Sequence, residues 1–119
     1  MTQYAVFLHE DPETFRKFTP SEMQAIIQRY TAWGDRLRAS GRYVSGKKLA
    51  DDGGKSVRLE KGRMTVSDGP YAETKDIVGG LFVFTADSYE DALSVISDCP
   101  HLEYGRIELR AIEIDGDAS

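Results

Sequence analysis

The chain of 119 residues is 40% hydrophobic and 29% charged, a globular composition with room for one domain. Its net charge of −5 argues against a basic nucleic-acid-binding surface, and no apolar run approaches the ~20 residues of a membrane span. A single cysteine allows no internal disulfide, and the N-terminus lacks the basic-then-apolar order of a signal peptide, so the expected compartment is the cytoplasm.

Tyr4-Ala5-Val6-Phe7-Leu8 is a short unbroken apolar run, the pattern of a strand buried on both faces, and Glu10-Asp11-Pro12 ends it. Thr19-Pro20-Ser21-Glu22 reads as a helix start: Thr19 caps, Pro20 suits the first helical position, and Glu22 completes a capping box. Met23, Ile26, Ile27, Tyr30, Trp33 and Leu37 then recur at helical spacing. With Gly41 at the C-terminal cap, they predict a helix over 20–40. Residues 42–49 read as a second strand, followed by a turn at Asp51-Asp52-Gly53-Gly54. Alternation over 56–59 and 63–66, on either side of Lys61-Gly62, predicts a hairpin. Beyond a polar stretch at 68–76, Gly79-Gly80 opens 81–84, a further strand apolar on both faces. Asp87 or Ser88 caps a helix whose apolar positions are Tyr89, Ala92, Leu93, Ile96 and Cys99, and Pro100 stops it. Residues 107–114 form the last strand and 115–119 a frayed tail.

The order β-α-β, hairpin, β-α-β predicts a ferredoxin-like α+β fold in one domain over 1–114, with an antiparallel sheet and both helices on one face. Two helices leave the other face uncovered. Yet the first strand sets Tyr4, Val6 and Leu8 against Phe7, and 81–84 sets Leu81 and Val83 against Phe82 and Phe84. A second copy packed sheet against sheet would cover that patch, so a homodimer with a barrel-like seam is expected.

Groups able to do chemistry gather at Asp68-Gly69-Pro70-Tyr71-Ala72-Glu73-Thr74-Lys75, where two carboxylates, a hydroxyl, a phenol and an ammonium surround a rigid Gly-Pro turn. A preorganised loop of this kind suits acid–base work. The commoner use of a polar turn is to satisfy its own backbone. Cys99-Pro100-His101 pairs a thiol with an imidazole, as a nucleophile with its base; the commoner reading makes Cys99 a small buried hydrophobe and His101 a cap or surface residue. His9 reads first as a polar strand end. A metal site from His9, Cys99 and His101 would need carboxylates such as Glu10, and the spacing supports no structural zinc. Lys47, Lys48, Lys55, Arg58, Lys61 and Arg63 can attract an anionic ligand, although charge guarding a hairpin edge accounts for them better. No phosphate-binding loop, dinucleotide fingerprint or nucleophile elbow occurs, and no cofactor is expected.

The stretch from Asp68 to Asp76, with Gly79-Gly80 just beyond, resembles the signature of the DGPF branch of the YCII-related family, with Tyr71 in place of that branch's Phe. The Thr19-Pro20 helix start, the 56–67 hairpin, Cys99-Pro100 and Ile107-Glu108-Leu109-Arg110 extend the resemblance over nearly the whole chain. It implies a dimeric α+β barrel. Some related members resemble cofactor-free lyases that remove chloride from a hydroxylated aromatic, using a His on the first helix and an Asp before a Pro after the second. Here 20–40 holds no His, and Cys99 precedes Pro100, so that dyad does not carry over.

Two functions remain open at this point. One is a cofactor-free acid–base enzyme of lyase or isomerase type, or a small-molecule binder. Its cleft would be lined by Arg29, Tyr30, Tyr71, Glu73 and the 68–75 loop. Asp68 or His101 would move a proton, and Arg58 or Lys75 would hold an anionic oxygen of an anionic or aromatic ligand. The other, implied by the resemblance, is a non-catalytic ligand-sensing or regulatory module that acts with a sigma-factor-type protein partner, without touching DNA itself.

Overall fold

The structure is a computed structural model that describes residues 1–69 and 76–113. Strand β1 (Thr2–Glu10) lies at the centre of a four-stranded sheet with β2 (Tyr43–Lys48), β5 (Ile77–Ala86) and β6 (Arg106–Ala111), in the order β2-β5-β1-β6, every pair antiparallel. The hairpin of β3 (Lys55–Glu60) and β4 (Arg63–Asp68) forms its own two-stranded sheet. Lys61 and Gly62, both at positive φ, make its turn; this geometry matches the twist of the flanking strands.

Helix α2 (Pro20–Ala39) starts with the expected reciprocal capping box between Thr19 and Glu22. Ser88, not Asp87, caps α3 (Tyr89–Ile96), its side chain accepting from the Asp91 amide. Both helices pack on one face of the sheet. The core there joins Tyr4 and Val6 of β1 with Phe82, Phe84 and Ala86 of β5, Trp33 and Leu37 of α2, and Ala92, Ile96 and Cys99 beyond. Trp33 meets the edge of Phe82 at 5.6 Å between ring centroids and anchors its indole N–H on Asp98, 2.8 Å away. Phe7 pairs with Leu81 and Ala5 with Val83 on the opposite face, which no helix among the described residues covers.

Several boundaries differ from those the sequence suggests. Strand β1 runs on to Glu10, because its ladder to β5 continues past the apolar run, and β5 begins at Ile77 rather than at Leu81. A one-turn helix α1 (Glu13–Arg16) follows β1, nucleated by Asp11, whose carboxylate and carbonyl accept from the Glu13 and Thr14 amides. Helix α3 ends at Ile96, so Cys99 lies beyond it. Pro100 opens a 3-10 turn, Pro100–Glu103, because a proline suits the first position of such a turn, where no N–H is needed. The last strand stops at Ala111. Ile114 and the tail at 115–119 lie outside the described residues. No helix among the described residues is long and apolar enough to cross a membrane.

Candidate functional site

The 3-10 turn after Pro100 drives His101 inward, where it is only 1% exposed. Its Nε2 lies 2.8 Å from the backbone carbonyl of His9. A carbonyl only accepts, so Nε2 carries the proton and donates. Burial disfavours the imidazolium, so Nδ1 of the neutral ring is the lone-pair nitrogen, and the Tyr30 hydroxyl, 2.8 Å away, donates to it. His101 is thus a neutral imidazole with both nitrogens engaged, and burial holds its pKa below the ordinary value. The approach is close. A Cβ at Gly105 would come within 2.8 Å of His101 Nε2 and would also collide with the His9 carbonyl, so the chain after the turn needs glycine there. Burial pushes the Tyr30 phenol upward, and the negative charge of Glu10 adds to the shift.

Beside this pair, a cavity of about 830 Å³ opens between α2 and the sheet. Its walls are mainly apolar: Leu8, Phe15, Met23, Ile26, Trp33, Ile77 and Phe82. Tyr30, His101 and Glu10 supply polar groups; Arg16, Arg38, Lys47, Lys48 and Asp51 also line it. Arg38 stacks over Tyr43, 4.5 Å from the ring centroid. Phe15 and Tyr30 both pack on Tyr104, at 5.5 and 6.4 Å between centroids. Cys99 also lines the cavity. Burial raises the pKa of its thiol, which favours the protonated, weakly nucleophilic form. Among the described residues, no group of three or more His, Cys, Asp or Glu side chains is placed to hold a metal ion.

The model of the YCII-related domain matches residues 2–114. The chain belongs to the YCII-related family. Among curated proteins none matches it in sequence. Of solved structures, it is similar to 5-chloro-2-hydroxyhydroquinone dehydrochlorinase from Burkholderia phenoliruptrix AC1100 in complex with 2,5-dihydroxybenzoquinone, with 14% identity, 93% of each chain covered and a TM-score of 0.48.

In this YCII-related chain the residues singled out from sequence do not all meet. Tyr30 and His101 share one cavity wall. His101 is neither a cap nor a surface residue, because the 3-10 turn carries its ring under β1. Arg29 points away from the cavity to the Glu103 carboxylate and the Tyr104 hydroxyl. Asp68, at the exposed end of β4, is ion-paired with Lys55, and Arg58 is exposed on β3; neither lines the cavity. Tyr71, Glu73 and Lys75 lie outside the described residues. His9 faces the uncovered side of the sheet, its Nε2 2.9 Å from Glu108. Glu10 and Phe15 are cavity residues that the motif-led reading passed over. The signal for Glu10 was the period of two: Tyr4, Val6, Leu8 and Glu10 occupy one face of β1.

Replacing His101 by Leu removes the hydrogen-bond partner of the half-buried Tyr30 hydroxyl and of the His9 carbonyl. Urea denaturation should show a loss of about 2–4 kcal/mol. Because the folded state lowers the pKa of His101, the unfolded chain takes up its proton first on acidification. The wild-type protein should therefore lose stability as pH falls below about 6.5, and the variant should lack that component.

Proposed function

We propose that this protein binds a small, largely apolar molecule in the cavity between α2 and the sheet and acts on it by acid–base chemistry without a cofactor. The observation that carries this reading is the opening of a largely apolar cavity of about 830 Å³ onto the Tyr30 hydroxyl, the buried His101 and the Glu10 carboxyl. Its volume suits a small organic ligand, and its titratable groups are held at the wall by bonds that need no ligand to form. Both ring nitrogens of His101 are occupied, so its role is to orient Tyr30, and any proton transfer falls to the other wall groups. The Asp68-to-Asp76 signature supports placement in the DGPF branch of the family.

Trp33, the only tryptophan, lies in the cavity wall and reports on occupancy. Titration with a set of neutral fragments should identify binders that shift its emission. Each should also raise the melting temperature, since a ligand at a hundred times its Kd stabilises the folded state by about 2.7 kcal/mol. Binders that leave Trp33 emission unchanged would contradict the site.

The working unit in this proposal is a homodimer paired through the uncovered sheet face, where Ala5, Phe7, Leu81 and Val83 form an apolar patch. The hairpin carries an exposed apolar face of its own: Val57, Leu59, Met64 and Val66 share one side and are 53–75% exposed. Sedimentation at micromolar concentration should give twice the chain mass of 13.3 kDa, and Phe7→Lys should give the single-chain mass. A wild-type protein that sediments as one chain would refute the pairing.

A further inference from the structure

Beside the cations Arg16, Arg38, Lys47 and Lys48 that also line the cavity, the Glu10–Tyr30 corner offers acceptors. Tyr30 gives its only hydroxyl proton to His101 Nδ1, so its oxygen has lone pairs alone to offer a ligand. Glu10 follows His9, whose carbonyl holds the other side of the same imidazole, and its charge is felt at the Tyr30 phenol. The carboxyl has a place made for it. The β1–β5 register passes from Leu8 opposite Gly80 to His9 opposite Val78, leaving Gly79 as the bulged residue. A Cβ at Gly79 would lie 2.5 Å from Glu10 Oε1 and 2.7 Å from its carboxyl carbon. The carboxyl therefore lies against the Gly79 backbone, in the space a β-carbon would take. Burial raises the Glu10 pKa, the Asp51 charge adds to the rise, and Lys48 opposes it. The result is a carboxylate more basic than an exposed glutamate.

We propose that Glu10 and the Tyr30 oxygen form an acceptor pair that selects ligands presenting a hydroxyl donor to this end of the cavity, with Glu10 contacting the ligand directly. This rests on the cavity being a small-molecule site and adds what that site prefers. An ether offers the pair no proton. A neutral hydroxyl satisfies one acceptor while the rest of the molecule fills the apolar walls. Glu10 is then also the group positioned to take that proton.

Cyclohexanol and cyclohexyl methyl ether serve as matched probes, since a cavity of about 830 Å³ has room for either. In Trp33 fluorescence titrations of the full chain, the alcohol should bind roughly tenfold or more tighter than the ether, as expected for a hydrogen bond to a charged group. Glu10→Gln preserves the side chain's size and replaces one acceptor oxygen by an N–H donor; it should shrink the preference to within about threefold, through weaker alcohol and stronger ether binding. Gly79→Ala should do the same by displacing the carboxyl without altering its chemistry. Equal affinity for the two probes in the wild-type protein, or a preference that survives Glu10→Gln, overturns the acceptor pair and leaves the cavity site standing. Failure of both probes to bind overturns the site and the pair together.

Discussion

His101 is bonded at both ring nitrogens, and the polar half of the cavity takes its form from that double engagement. One nitrogen donates to the backbone of β1 and the other accepts from a side chain of α2. A single imidazole therefore ties the helix layer to the central strand where their apolar packing gives out. In a buried setting the alternatives are costly, because losing either bond leaves an unpaired polar group away from water. The direction of each proton follows from two facts: a backbone carbonyl cannot donate, and burial keeps the ring neutral, so its second nitrogen accepts.

The consequences reach the cavity through Tyr30. A phenol that donates inward presents only lone pairs outward, and the carboxylate of Glu10 is an acceptor as well. The bulge at Gly79, the glycine at 105 and the 3-10 turn after Pro100 all serve the same local geometry, by letting backbone and polar side chains approach closely. Around them the walls are built from ordinary amphipathic packing: the inward face of β1, the broad apolar face of α2, and the ring of Phe82 beneath Trp33. Precise polar geometry at one end and plain apolar volume elsewhere is the usual division of labour in a small-molecule pocket.

Much of the fold was legible in the sequence because its signals are local. The Thr19–Glu22 capping box, the three- and four-residue spacing from Met23 to Leu37, and the Lys61-Gly62 turn each act over a few residues and produced what they promised. Helix α1 was missed because it is a single turn held by Asp11, too short to show a period. The site was legible only in part. Tyr30 and His101 were singled out, but they stand 71 positions apart, and their meeting depends on a turn whose inward direction is set by tertiary packing. Most of the 68–75 motif lies outside the described residues, and the cavity that is described lies between α2 and the sheet. Glu10 looked like the polar end of a strand. Extending the alternation of Tyr4, Val6 and Leu8 by one more step would have turned it inward.

The most direct test is nitrogen-15 NMR of the His101 side chain in the full-length protein. The account predicts a neutral ring at pH 7, protonated at Nε2, with Nδ1 an unprotonated nitrogen accepting a hydrogen bond, and a ring that remains neutral below the usual imidazole pKa. A ring protonated at Nδ1, or an imidazolium at pH 7, would contradict it. Tyr30 would then be free to turn its proton toward the cavity, and the acceptor character of that end would be lost.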